Sequence, residues 1–362
     1  FQPALMKSNL AALVVAPTLS YRLTNWLSIG ISLHLIQITL ADNDGLNAGA
    51  EGGNKGLVLD YSDPNNPVPL PPPNDTLTYE ELFSLASTND AVASSYVDVD
   101  NASGYGWGGS IGILLQPLPF LSLGASYIYR GKQNPLKGKA YIDASKSLSS
   151  IESDPDVKAI TGVLFSTLLP NQLKGGLTAE YNFRLTNIKL PDVLNLGLAI
   201  KIAQRLLLAA DFRYIRWAKV FKKFRADLTS GTNQDINAIV GSNRVVSTTY
   251  MLWKDQYVIA LGLEAVALRS KEGTELLLQI GYNYGNSPSP TKTLSVGGAQ
   301  NIQHHLTFGV RLVKRNWMFA LSYVHAFTEK IYVSNSLSLP EANNTSIQTN
   351  QDTLFLGFTW QF

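Results

Sequence analysis

The 362 residues contain no cysteine. That excludes a disulfide scaffold, a Cys-ligated zinc site and a cysteine nucleophile. Charge is also scarce, with charged residues at 15% against 45% hydrophobic, well below the roughly 25% charged usual for soluble proteins. The net charge of +2 is too small to suggest nucleic acid. Long apolar runs are missing too: no stretch reaches the roughly 18 residues a helical membrane span needs. The chain opens at Phe1 without a basic or apolar leader, so a signal peptide is expected to have been removed or left out. Low charge without long apolar runs is what alternating strands in a bilayer would give.

Alternation is what the sequence does have. From Tyr257 onward, Tyr257, Ile259, Leu261, Leu263 and Ala265 point one way, and Val258, Ala260, Gly262 and Glu264 the other. Side chains on a strand alternate sides, so one face is large and apolar and the other small or polar. Eleven segments alternate in this way. They begin with Leu13–Tyr21 and Leu27–Leu35 and close with Leu354–Phe362. The connections between them alternate short and long along the whole chain, the pattern of tight periplasmic turns and long external loops in a transmembrane barrel. Aromatics such as Tyr21, Tyr105, Trp107, Tyr127, Tyr129, Tyr282, Trp317 and Trp360 gather near the ends of the apolar faces, where ring side chains favour the headgroup level. The expected fold is all-β, an antiparallel transmembrane β-barrel of about eleven strands with short helices in long extracellular loops, in the outer membrane of a Gram-negative bacterium. A strand of alternating aromatics stopping on Phe362 resembles the C-terminal signal read by the barrel assembly machinery.

Residues 1–362 are read as one barrel, with the two longest external loops at 41–103 and 131–190. In the first loop, Thr78-Tyr79-Glu80-Glu81 fits a helix-capping box, with Tyr79, Leu82, Phe83 and Ala86 at helical spacing. In the second, Asp154 can cap and Pro155 suits the first helical position, while Val157, Ile160, Leu164, Phe165 and Leu168 form an apolar stripe. Two readings stay open: the helices pack on each other and cap the barrel, or the groove between them takes up a hydrophobic ligand. The inward charges Lys201, Asp211, Arg213, Glu264 and Arg311, with Arg130 near the rim, read as a mutually satisfied lumen network. His34, His304, His305 and His325 are scattered or point apart, giving no metal chelate. No Ser-His-Asp order, P-loop or Rossmann fingerprint is found, so neither a cofactor nor an enzyme activity is expected.

From Leu190 onward an ordered set of elements carries a resemblance. It comprises Leu190-Pro191-Asp192-Val193, then Ala210 to Trp217, then Trp253-Lys254-Asp255, then Gly281-Tyr282-Asn283-Tyr284-Gly285-Asn286-Ser287-Pro288, and a closing aromatic strand. In this it resembles the FadL family of outer-membrane transporters for long-chain fatty acids and aromatic hydrocarbons. The resemblance implies a barrel of about fourteen strands with an N-terminal plug, so this chain is expected to start inside the family sequence, without the plug and first strands. It also implies passive uptake, with capture by apolar loops, a pocket in the upper barrel and sideways release into the membrane. Lys254 matches the family's head-group lysine, and its bland alternative is a loop-proximal lysine paired with Asp255 or another acid. Where the family's fatty-acid member has a second cation, this chain has Asn43. The candidate ligand-binding residues are therefore Lys254, Trp253, Leu82, Phe83, Ile160, Leu164, Phe165 and Leu168. The expected partners are a hydrophobic small molecule, outer-membrane lipid or lipopolysaccharide, and the assembly machinery through Phe362, with the protein a monomer. The alternative function is a general or substrate-selective porin for small polar solutes.

Overall fold

The computed structural model describes residues 7–47, 55–60, 62–63, 65–70, 77–79, 81–82, 96–143, 155, 165–203, 205–293, 302–337 and 343–360. Its strands are β1 (Lys7–Val15), β2 (Thr18–Arg22), β3 (Leu27–Asn47), β4 (Leu59–Asp60), β5 (Val68–Pro69), β6 (Tyr96–Leu118), β7 (Leu121–Tyr129), β8 (Leu136–Asp143) and β9 (Thr178–Thr186). They continue with β10 (Val193–Ile202), β11 (Leu206–Ile215), β12 (Lys223–Thr229), β13 (Val245–Tyr250), β14 (Gln256–Arg269), β15 (Thr274–Gly285), β16 (His304–Lys314), β17 (Trp317–Val333) and β18 (Thr345–Trp360). Three short α-helices with described bounds accompany them: α1 (Phe165–Leu168), α2 (Trp217–Val220) and α3 (Gln234–Val240).

All but β4 and β5 join one antiparallel sheet of 16 strands. β1 and β2 both pair with β3, one beyond the other. Between them Pro17, with no N–H to give, still accepts from the Leu33 N–H at 3.1 Å, so they form one interrupted lane. The wall then runs β3, β6, β7, β10, β11, β14, β15, β16, β17, β18, which makes the eleven lanes that alternation predicts. The expected faces hold. Ile31, Leu33, Tyr257, Ile259, Leu261, Ile280, Phe308, Phe319 and Leu321 are all exposed on the outer side, as a lipid-facing wall requires. Inside, Arg311 pairs with Glu264 at 2.7 Å and Gln279 donates to the same carboxylate at 2.6 Å, while Arg213 donates to Asn195 and Asn195 to Ser126.

A second region has no counterpart among the eleven expected lanes. β8, β9, β12 and β13 leave the wall through the upper half of β6 and form a four-stranded extension above it. Two of these strands lie in the insert expected to hold only a helical stripe, and two in the insert between β11 and β14. β3 and β6 themselves stay paired as far as Asn47 and Tyr96, well into the first insert. The connector Arg130–Asn134 carries the chain from β7 to β8, which pair one beyond the other with the same edge of β6, by lying close against β6, where Trp107 N–H donates to the Lys132 carbonyl and Asn134 N–H to that of Tyr105. Glycine is needed for this approach: a Cβ on Gly106 would sit 3.0 Å from the Lys132 oxygen. Gly131, at φ +30, makes the bend.

Candidate functional site

The polarity of the sheet reverses at the outer end of the wall. Along β3 the inward residues Ser28, Gly30, Ser32 and His34 give way to Ile36, Ile38 and Leu40, exposed by only 2%, 4% and 7%. Over the same span the outward face passes from Leu33 and Leu35 to Gln37 and Thr39. The change comes at the aromatic girdle, since Leu35 pairs with Trp107 and Gln37 with Tyr105. Above that level the extension turns its apolar face inward. Leu136, Ala140 and Ile142 of β8, Tyr181, Phe183 and Leu185 of β9, and Ala226 and Leu228 of β12 pack with the β3 isoleucines into one core.

Two smaller apolar clusters adjoin this core. One joins the first two loops: Val58, Tyr79 and Leu82 pack with Leu168, Leu169 and Ile239, and the Tyr79 hydroxyl donates to the Leu168 carbonyl. The capping box is formed, with Thr78 N–H donating to Glu81 at 2.8 Å and Glu81 N–H to the Thr78 hydroxyl at 3.3 Å. α3 links this cluster to the main core, with Ile239 in one and Ile236 in the other. Its N-cap Asn233 accepts from the N–H groups of Asp235 and Ile236, and Gly241 closes it in the left-handed conformation.

The other cluster holds Trp253, stacked on Phe221 at 4.6 Å and meeting Trp217 edge-on at 5.0 Å. Phe221 in turn touches Phe224 at 5.0 Å, and Phe224 packs against the main core as well. Trp217 and Phe221 meet because α2 sets them four residues apart on one face. Beside Trp253, Lys254 is exposed and its backbone N–H donates to the Pro288 carbonyl at 2.8 Å. Asp255 accepts from the Tyr214 hydroxyl at 2.6 Å and from Ala218 N–H at 3.0 Å. Among the described residues Lys254 forms no ion pair with Asp255 or another acid. Asn286 ties the two sequence elements together, donating to the Asp255 carbonyl and accepting from Tyr257 N–H.

Below these clusters lies a polar hub that the sequence reading left unrecognised. The Asp192 side chain is 1% exposed, accepts from Arg130 N–H at 3.0 Å and from Lys219 at 3.0 Å, and has Arg216 at 3.9 Å. Burial pushes its carboxyl up, but the Arg130 N–H and the Lys219 ammonium outweigh that and hold it below the usual carboxylate range. The Arg130 guanidinium reaches on to His34 at 3.2 Å, and His34 to Ser110 at 3.3 Å. The ends of β7 and β11 and the start of β10 are thus pinned at one point. An Asp next to Pro191, flanked by Lys189 and followed by Arg216 and Lys219, is the signal that would have found it.

The candidate residues therefore fall in two places. Leu82 and Leu168, each fully buried, share the loop cluster. Trp253 belongs to the aromatic cluster, and Lys254 follows it, exposed. Phe165 opens α1, whereas Phe83, Ile160, Leu164, the Asp154 cap and Phe362 lie outside the described residues. Asn43 lies on β3 opposite Lys7.

Comparison with known proteins agrees with this architecture. The toluene transporter TodX of Pseudomonas putida superposes with a TM-score of 0.62 at 18% identity, over 98% of this chain and 70% of that one. The toluene transporter TbuX of Ralstonia pickettii gives 0.59 at 14%, over 98% and 68%. A Pseudomonas aeruginosa FadL homologue gives 0.56 at 13%, over 98% and 68%. No curated protein matches. The family described as outer membrane protein transport protein (OMPP1/FadL/TodX) matches residues 5–297, and with that span taking in most of the sequence, the chain belongs to this family of outer-membrane β-barrel transporters.

Proposed function

We propose that this protein carries hydrophobic small molecules, aromatic hydrocarbons or long-chain fatty acids, inward across the outer membrane by passive diffusion. The observation that carries the reading is the polarity reversal on β3, where an inward face that is polar through the wall becomes apolar above His34. A water-filled solute pore has no use for such a layer at its mouth. An acyl chain or a ring does, because each methylene moved out of water gains on the order of 0.8 kcal/mol. The loop cluster around Leu82 and Leu168 is closed, so entry requires the two loops to part. Phe83, Ile160, Leu164 and Phe165 remain part of the proposed capture surface. Trp253 then offers an aromatic floor and Lys254 an exposed cation beside it, a small number of polar groups in an apolar setting being enough to orient a ligand. Release sideways into the bilayer and recognition by the assembly machinery belong to the same reading.

The test is binding of oleate and of toluene to the purified protein in detergent, together with conductance in planar bilayers. Saturable binding with low conductance is expected. Open, charge-dependent conductance without binding would replace the proposal with a porin. Lys254→Ala should weaken oleate binding roughly tenfold, the worth of one charged hydrogen bond, and leave toluene nearly unchanged. Equal losses for both would remove the head-group role.

A further inference from the structure

The extension has an outer face as well as a core, and the membrane-side edge of that face is cationic. Strand alternation sends Leu136, Leu185 and Ala226 inward and Lys137, Arg184 and Arg225 outward. Register then sets like charges side by side, with Lys137 directly opposite Arg184, a pairing that destabilises a sheet unless something offsets it. The carboxylate within reach is Asp227, opposite Arg184 on the other side, and it is already engaged. Arg244 grips both its oxygens, at 2.7 and 2.8 Å, and Arg225 stands 4.0 Å away. Further along the face, away from the girdle, Glu180 takes Lys139 at 2.6 Å, and the acids Asp143 of β8 and Asp98 and Asp100 of β6 lie there too. Lys137, Arg184 and Lys223 are left exposed with no ion pair among the described residues.

The height of this cationic row gives it meaning. Lys137 pairs with Ser103 on β6, two residues beyond Tyr105 and four beyond Trp107, both exposed girdle aromatics. At about 3.3 Å per residue, the row starts roughly 7 Å above the girdle, where the polar heads of the outer leaflet lie. Lys189 bridges the gap, its ammonium 5.9 Å from the ring centroid of Tyr129. We propose that the outer face of β8, β9 and β12 docks the phosphate groups of an outer-leaflet glycolipid, with Lys137, Arg184 and Lys223 as the cations that meet them. Planar arginine forks and lysine ammoniums are the groups that recognise phosphate. The proposal rests on placement in the outer membrane and not on the identity of the transported molecule, so either can fail without the other.

The test uses the full chain in detergent, titrated by native mass spectrometry with a phosphorylated acylated glycolipid and with the same glycolipid after removal of its phosphates. The wild type is expected to prefer the phosphorylated form. The combined variant Lys137→Gln, Arg184→Gln, Lys223→Gln should lose roughly a hundredfold in affinity for it, at about 1 kcal/mol per cation near an anionic surface. Lys271→Gln, Lys314→Gln, Arg315→Gln, in the short turns at the other end of the wall, should lose nothing. Millimolar inorganic phosphate should not displace the lipid. Equal binding of the two glycolipids, an unaffected combined variant, or displacement by free phosphate would each overturn the proposal. Should the combined variant fail to fold, Lys137→Gln alone, an exposed side chain without an ion pair among the described residues, carries the same test with a smaller loss.

Discussion

The wall and its extension are built on the same two-residue period and obey opposite rules. In the wall, Ile259 and Leu261 face out and Gly262 and Glu264 face in. In the extension, Lys137, Lys139 and Arg184 face out while Leu136, Ala140 and Phe183 are buried. Both patterns follow from the hydrophobic effect acting in different solvents: lipid tails accept apolar side chains, and water does not. β3 crosses from one regime to the other within a single strand. A sheet can therefore record the edge of the bilayer in its own alternation, and here the record agrees with the position of Tyr105 and Trp107.

If the two regions are energetically distinct, a core deletion in the extension should loosen it and spare the wall. Phe183 is 2% exposed, and Phe183→Ala should cost roughly 3–5 kcal/mol. Hydrogen exchange is expected to rise across β8, β9 and β12, with β14 to β17 unchanged and the heat-modifiable gel mobility of the wall retained. A loss of protection spread evenly over both regions would show that they unfold as one.

How far each region was legible in the sequence follows from the same contrast. Each wall lane has a long apolar face, a small or polar face and a tight turn at one end, so Leu194–Ile202 or Leu306–Leu312 announces itself. The strand Leu136–Asp143 alternates just as regularly, but its inward side includes Gly138 and Ala140 and its outward side two lysines, which in isolation reads as polar loop. What makes it a strand is pairing with β6 and β9, which no local pattern contains. The site was legible in part. Trp253 and Lys254 came from the ordered resemblance, and the capping box at Thr78 from its spacing. Phe221, which stacks on Trp253, and the ties that converge on Asp192 depend on distant segments meeting.

The next prediction sharpens the comparison by reversing polarity once in each region. Leu261, near the middle of β14, is 54% exposed toward lipid, and Leu261→Arg should cost about 2–4 kcal/mol. The mirror change Arg184→Leu, on the water-facing side of the extension, should leave stability within about 0.5 kcal/mol, as surface substitutions usually do. Denaturant midpoints in lipid vesicles measure both. A gain in stability from Arg184→Leu comparable in size to the Leu261→Arg penalty would mean that the extension's outer face also meets lipid tails.

The smallest expected effect tests the joint between the regions. Asp192 fastens the ends of β7 and β11 to the start of β10, and Asp192→Asn keeps the shape while removing the charge that Lys219 and Arg216 face. The cost should be about 1–3 kcal/mol, toward the lower figure because both cations also reach water. The acid dependence follows from the direction of the shift. A carboxyl held below its ordinary value contributes its full stabilisation at pH above the normal aspartate range, near 4, and loses it as pH falls through the depressed folded value. Hydrogen exchange at the outer ends of β7, β10 and β11 in the wild type should therefore rise on acidification below about pH 4. In Asp192→Asn it should already be raised at neutral pH and should change less with acid. If the variant kept the full acid response, another carboxylate would be holding the joint, and Asp227, the extension's own shared acid, would be the one to change next.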